Sequence, residues 1–255
     1  MLKLKYILLL VTIIILIITG LVVSLDISPA WYILPGLIIM FFTILGSFRI
    51  DMSFYFDVIC KIKSEDRIIL TFDDGPDKII TPKLLEVLKK NNVKAAFFVI
   101  GWKTEMYPEL VKKAYDDGHI IGNHSYCHKN SYGFYTSGKL VADIEKSGET
   151  IKKILGVKPV FFRPPFGVTN PNMESALKKL KLIPVGWSLR SLDTVNNHRE
   201  KLAEKLSKVK PGDIVLFHDR VEGIDLIVDD FIKAARLKKI EFAGLDEALK
   251  TKAYV

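Results

Sequence analysis

Seven short apolar runs along residues 67–242, most of them separated by helical patterns, predict an α/β protein on a parallel sheet. Parallel strands joined through helices cross over right-handed, so the repeats wind in one sense. About seven strands in about 190 residues favour a closed or nearly closed barrel over an open sheet. Ahead of this pattern, Leu4 to Phe48 carries hardly a charge, which reads as a two-helix transmembrane hairpin.

The hairpin comes first in the chain. Lys3 and Lys5 precede an apolar run ending near Leu25, long enough to cross a bilayer core and too long for a signal-peptide core. After Asp26-Ile27-Ser28-Pro29 a second run reaches Phe48, with Trp31 and Tyr32 where interfacial aromatics belong. Residues 1–60 therefore read as a membrane anchor with spans at about 4–25 and 29–48, and residues 61–255 as a separate α/β domain. Lys3, Lys5, Arg49, Lys61 and Lys63 flank the outer ends, while the loop between the spans carries only Asp26. By the positive-inside rule both termini face the cytoplasm; a flipped hairpin would place the domain outside.

Composition narrows the class. The 255 residues are 49% hydrophobic, with 37 Lys+Arg against 29 Asp+Glu and a net charge of +8. The lysines are scattered over helical surfaces, which suits an anionic membrane or acidic polymer, and no nucleic-acid motif is present. The spacing of Cys60 and Cys127 suggests no bridge, so both read as free, buried thiols.

Strands are expected at Ile68–Phe72, Ala95–Gly101, Ile120–Gly122, Val160–Phe162, Ile183–Trp187, Ile214–Phe217 and Ile240–Phe242. Thr81-Pro82 reads as a cap and a first-turn proline, with Leu84, Leu85, Val87 and Leu88 following at helical spacing. Further helices open at Pro108, Ser137 and Pro171, and patterns at Arg199–Val209 and Ile224–Leu237 complete the set. In a parallel sheet the C-terminal strand tips share one face, where sites are built.

Those tips carry chemistry. The first ends in Asp73-Asp74-Gly75-Pro76, adjacent carboxylates that need a metal ion, an arginine or a shared proton unless they face water or cap the next helix. The third leads to His124 and His128, the fourth to Arg163, the fifth into Trp187 and Asp193, and the sixth to His218. One helical turn or a compact loop sets His124 and His128 on one side, and with Asp74 they form a two-His, one-carboxylate set. Such a set leaves positions for water and substrate. His119 and His198 read as surface or packing residues, Asp219 as a buttress of the loop after His218. Trp102 and Trp187 read as core or as walls of a groove.

In order, Thr71-Phe72-Asp73-Asp74-Gly75-Pro76, His124-Ser125-x-x-His128, Arg163-Pro164-Pro165-Phe166-Gly167 and Leu216-Phe217-His218 resemble the motifs of the polysaccharide deacetylases. That resemblance covers about residues 65–250 and implies a distorted (β/α) barrel and a metal-dependent hydrolase that removes an N-acyl group, most often acetyl, from an amino sugar. It implies that Asp74, His124 and His128 hold a divalent metal, usually zinc, sometimes cobalt or another divalent ion. Asp73 would be the general base and Arg163 would orient it. His218 would be the general acid, tuned by Asp193. Leu216 would receive the acyl methyl group, and the backbone N–H of Phe166 would face the oxyanion. Trp187 is a candidate substrate-groove residue.

The chain departs from the family at its fifth motif, where many relatives carry Asp-x-x-Asp-Trp and this one reads Arg190-Ser191-Leu192-Asp193-Thr194. Thr194 stands where those relatives carry the tryptophan of the groove wall, and substrates other than long chitin-like polymers gain ground. The expected partners are an amino-sugar glycan or glycolipid and membrane lipid. The rivals are a cytoplasmic-face deformylase or deacetylase of a lipid-linked sugar, an inactive carbohydrate-binding membrane protein, and an amidohydrolase of a small non-sugar amide.

Overall fold

The computed structural model describes residues 3–195 and 199–255; His198 lies outside the described residues. Two apolar helices, α1 (Leu4–Leu25) and α2 (Ile33–Phe48), pack on each other through the short turn Pro29–Tyr32, where Thr19 Oγ1 and Tyr32 Oη lie 2.8 Å apart. Most of their side chains face outward, and Val23, Leu25 and Phe48 are among the most exposed. The foot of the hairpin is bonded to the rest of the chain: Thr169 donates its N–H to Ser47 and its hydroxyl to Gly46.

The body alternates strand and helix. It runs β1 (Arg67–Asp73), α3 (Ile80–Lys90), β2 (Ala95–Val99), the short α4 (Gly101–Met106), α5 (Pro108–Asp116), β3 (Ile120–Asn123), α6 (Ser137–Leu155), β4 (Phe161–Phe162) and α7 (Pro171–Leu180). It continues through β5 (Ile183–Pro184), β6 (Leu189–Arg190), α8 (Arg199–Leu206), β7 (Ile214–His218), α9 (Ile224–Leu237), β8 (Glu241–Phe242) and α10 (Leu245–Leu249). Seven parallel strands lie in the order β5-β4-β3-β2-β1-β7-β6, a curled sheet, with β8 paired only to the start of β1.

Successive side chains on a strand point to opposite faces. Ile68, Leu70 and Phe72 of β1 enter the core shared with Leu84, Leu88, Val228 and Ile232 of the flanking helices. Ile69 faces the inside of the curl with Ala96, Phe98, Phe161, Val185 and Ile214. Thr71 and Asp73 continue that inner row, and by the same parity Leu216 and His218 follow Ile214 on β7. The positions needed for chemistry are thus set by strand parity.

Four boundaries differ from the sequence reading. The run expected at Ile183–Trp187 is strand only at Ile183–Pro184, and a further short strand follows it at Leu189–Arg190: β5 pairs with β4 and β6 with β7, so one diagonal segment spans the two edges of the curl. Arg163 breaks the ladder there by donating to the carbonyls of Val185 (3.1 Å) and Gly186 (2.7 Å). Helix α3 starts at Ile80, and the turn leading into it is closed by Asp77, which accepts the N–H groups of Ile79 and Ile80. Thr81 instead accepts the N–H of Asp77. Strand β2 stops at Val99 because Gly101 opens α4, and α8 stops at Leu206. Both cysteines are free but only half-buried. Ile59 pairs with Val185, so residues before position 61 already belong to the body's packing.

Candidate active site

Asp73 sits opposite His218 in the β1–β7 register. Its Oδ1 accepts the Nη1–H of Arg163 at 2.8 Å, and the same nitrogen donates to Thr71 Oγ1 at 2.7 Å. Arg163 is wholly buried inside the curl, with its guanidinium carbon 4.1 Å from the centroid of the Phe98 ring. Burial pulls its pKa down, and the Asp73 carboxylate opposes that. A buried guanidinium survives because its donors meet two carbonyls, a hydroxyl and a carboxylate.

Asp74 has a left-handed backbone (φ 75°), which turns its carboxylate away from Asp73 toward the histidines. Its Oδ1 lies 3.6 Å from His124 Nε2 and 3.3 Å from His128 Nε2; Arg220 donates to its Oδ2 at 2.7 Å. Burial alone would raise the Asp74 pKa, but His124, His128 and Arg220 outweigh it and hold the carboxyl well below the usual range.

The two histidines come from a compact loop after β3. Ser125 Oγ accepts the His128 N–H, while Asp143 accepts the N–H groups of Tyr126 and Cys127. The reversal needs left-handed residues at Ser125 (φ 67°) and His128 (φ 46°). His124 Nδ1 lies 2.8 Å from the Arg163 carbonyl, an acceptor only, so it carries the proton and leaves the Nε2 lone pair toward Asp74. Burial, with His124 beside it, pushes the His128 pKa down to about 4, so that imidazole is neutral at pH 7.

These three side chains fit a metal ion. Their ligand atoms lie within 4.8 Å of one another, and His128 Nε2 is a buried nitrogen with no hydrogen-bond partner. A buried lone pair aimed at a carboxylate and a second imidazole is what a divalent cation satisfies.

Across the site, Asp193 holds His218 twice: Oδ1 meets the ring Nδ1 at 2.7 Å and Oδ2 accepts the backbone N–H at 2.7 Å. Burial lowers the His218 pKa, but the Asp193 bond and charge, with Asp73 and Asp74, raise it above the ordinary value. Asp73, Asp74, His124, His128, Phe166, Trp187, Leu216 and His218 all line one cavity of about 210 Å³. Phe166 (φ 59°) holds its ring 4.5 Å from that of His128, tilted by 52°. Gly167 is needed above Trp187, since a Cβ there would stand 2.5 Å from the indole.

Every predicted site residue therefore meets at one cavity or bonds directly to a group that does. Trp102 does not line it, and His119 is a buried packing residue against Phe97. Asp219 buttresses the turn after β1, bonded to Thr81 Oγ1 at 2.8 Å. Three residues escaped the sequence reading as site groups. Arg220 grips Asp74, Arg190 lines the cavity, and Lys103 donates to the Asp74 carbonyl at 2.6 Å. Only Arg220 and Arg190 carried a signal, as cations at the ends of strands that already bore site residues.

Fold and site together define a hydrolase of carbon–nitrogen bonds other than peptide bonds. A family model described as "Polysaccharide deacetylase" matches residues 61–185. The chain is 32% identical over 189 residues to a peptidoglycan-N-acetylglucosamine deacetylase of Bacillus cereus, covering 72% of this chain and 68% of that one. It is 35% identical over 178 residues to the peptidoglycan-N-acetylmuramic acid deacetylase of Bacillus subtilis, covering 66% and 67%. Among solved structures, the chitin deacetylase of the fungus Colletotrichum lindemuthianum superposes with a TM-score of 0.72 at 26% identity, covering 78% of this chain and 95% of that one. The chain belongs to the polysaccharide deacetylase family.

Proposed function

We propose that this chain is a membrane-anchored, metal-dependent deacylase that removes an N-acyl group, in the first place acetyl, from an amino sugar of a glycan or glycolipid. The observation that carries the reading is the meeting of the Asp74–His124–His128 triad, the Asp73–Arg163 pair and the His218–Asp193 pair at one cavity. The relatives' names place their own activity on peptidoglycan and chitin amino sugars, which supports the same substrate class here.

An amide resists hydrolysis because its carbonyl is a poor electrophile and its nitrogen a poor leaving group. Bound by Asp74, His124 and His128, a divalent ion such as zinc supplies Lewis acidity to the carbonyl and lowers the pKa of water. Asp73 takes the proton from the attacking water, and Arg163 keeps that carboxylate aimed. Leu216, buried at the cavity wall, receives the acyl methyl group, and the Phe166 N–H faces the carbonyl oxygen as charge builds there. His218, kept protonated by Asp193, gives its proton to the departing nitrogen. Trp187 offers an aromatic wall to the sugar.

The anchor reading, residues 1–60 with the catalytic domain in 61–255, rests on two apolar helical stretches, Leu4–Leu25 of 22 residues and Pro29–Phe48 of 20, the latter counting the turn before α2. At about 1.5 Å per residue each matches a hydrocarbon core of about 30 Å. A lipid-linked substrate is favoured by a groove between the end of α2 and the site. Thr43, Ile44, Ser47 and Phe48 form one side of it, and it ends on the exposed Phe134 and on Phe166 of the catalytic cavity. Charge flanking the helices favours a cytoplasmic domain, whereas the relatives' peptidoglycan substrates favour the outside; accessibility tagging of both helix ends decides.

The deciding assay uses the full chain in detergent, metal-loaded or chelated. Acetate and formate release is measured from N-acylated chito-oligosaccharides, peptidoglycan fragments and lipid-linked amino sugars, with Asp73→Asn as control. Metal-dependent release lost in that variant is the expected result; a bound metal with no release from any substrate would sink the amino-sugar reading.

A further inference from the structure

Beside the catalytic cavity lies a second one, of about 440 Å³, bounded by Asp51, Cys60, Lys61, Trp187, Ser188, Arg190 and Lys205. We propose that it is an anion subsite, taking a phosphate or carboxylate carried by the amino-sugar substrate. The proposal rests on the amide-hydrolase reading, because its ligand is part of that substrate.

Trp187 and Arg190 line both cavities, so the two spaces meet across these side chains. In the register of β6 and β7, Arg190 stands beside Leu216 of the catalytic wall, with the strands about 5 Å apart. A charge bound at Arg190 therefore lies within a sugar ring's reach of the acyl group.

The charges of the second cavity do not balance. Lys61, Arg190 and Lys205 face one carboxylate, Asp51. That carboxylate is already held by Arg49, through Nε at 2.9 Å and Nη2 at 2.7 Å. Lys61 makes a loose pair with Asp213 at 3.5 Å. Among the described residues, Arg190 and Lys205 have no carboxylate within ion-pair distance. The Arg190 guanidinium carbon lies 6.0 Å from the centroid of the Trp187 ring, a placement that restricts the side chain. A guanidinium and two ammonium groups with one spoken-for carboxylate are complementary to an oxyanion, which Arg binds through paired N–H groups.

Two sources would supply that oxyanion: the phosphate of a lipid-linked sugar, or the lactyl carboxylate of a muramic acid unit. Asp51 and Cys60 follow α2 in the chain, so the cavity stands at the foot of the apolar hairpin, where a lipid-borne phosphate would lie.

Calorimetric titration of the zinc-loaded full chain with glucosamine 1-phosphate and with methyl glucosaminide tests the subsite without turnover. The phosphate is expected to bind at least tenfold tighter, with the advantage shrinking as salt rises. Arg190→Gln and Lys205→Gln are each expected to remove most of it. Equal affinities, or an advantage that persists in the double variant, would overturn the subsite, the latter by assigning the phosphate to the metal. Turnover then separates the sources, using a polyprenyl-phosphate-linked N-acetyl sugar in nanodiscs, a muramic acid disaccharide and neutral N-acetylglucosamine oligomers. Arg190→Gln should cut the kcat/KM of the preferred anionic substrate at least tenfold more than that of the neutral one. Equal losses for both would count against the subsite. Failure of every substrate to react would sink the hydrolase reading, while the titration still decides the subsite.

Discussion

Asp193 binds His218 at both ends of the residue, its Oδ1 2.7 Å from the ring Nδ1 and its Oδ2 2.7 Å from the backbone nitrogen. The carboxylate is fully buried, so the pair fixes the orientation of the imidazole and holds its proton. Burial works against that proton, and Asp193 outweighs it. A raised folded-state pKa contributes stability that is fully present below the unfolded value, about 6.5, and is lost as pH rises through the folded value.

Asp193→Asn should therefore shift the alkaline limb of the pH–rate profile toward lower pH and reduce kcat more than it raises KM. Its cost in stability should be larger at pH 5.5 than at pH 9. A pH profile of kcat with melting curves at both pH values checks this, and an unmoved alkaline limb would exclude His218 as the acid.

Removing the proton acceptor tests the opposite side of the cavity. Asp73→Asn keeps the shape and a hydrogen-bond acceptor for Arg163 but removes its countercharge, so turnover should drop about 10²- to 10⁴-fold with a stability loss smaller than that of deleting the guanidinium. Arg163→Met leaves Asp73 buried without its cation, and breaking such a pair costs about 3–5 kcal/mol. Denaturant melts of the two variants should separate clearly; similar stabilities would show that Arg163 is dispensable to the fold.

Metal binding should be legible in stability as well as activity. His128 Nε2 has no partner in the protein, so loading the chain with zinc should raise its Tm, by about 2.7 kcal/mol of stability at a hundredfold excess over Kd. Bound metal, measured by elemental analysis, should fall from one per chain to near zero in a His124→Ala, His128→Ala variant. Undiminished zinc in that variant would place the ion elsewhere.

Asp219 supplies a prediction independent of catalysis. Burial pushes its pKa up to about 7, against the opposing bond from Thr81, and its Oδ1 has no partner. The unfolded chain releases this proton near pH 4, so wild-type stability should fall as pH rises from about 4 to about 7 through this group. Asp219→Asn should flatten that slope. A Cβ on Gly75 would stand 1.9 Å from Asp219 Oδ2, so Gly75→Ala should cost about 1–3 kcal/mol by overcrowding. Urea melts across pH measure both, and an unchanged slope in Asp219→Asn would refute the assignment.

Much of this molecule was legible in order of residues alone. Strand tips ending in Asp73-Asp74, Arg163 and His218 announced a common rim, because parallel strands end on one side and a run of apolar residues marks where each ends. The helix Ile224–Leu237 was readable to the residue, since an amphipathic period needs no distant partner. The fifth strand was not: its division depends on Arg163 taking two carbonyls from a segment about 20 residues away, which no local pattern encodes.

The same division runs through the site. Residue types and spacing pointed to the Asp74, His124 and His128 set, and the resemblance to the family supplied the expected base and acid, while the parallel strands carry these groups to one face. Only the tertiary structure decided that Arg220 and Lys103 hold Asp74, that Asp219 wedges against Gly75, and that unpaired cations adjoin the cavity. Those relationships join side chains remote in the chain, and distance, burial and charge between them exist only once the sheet has curled.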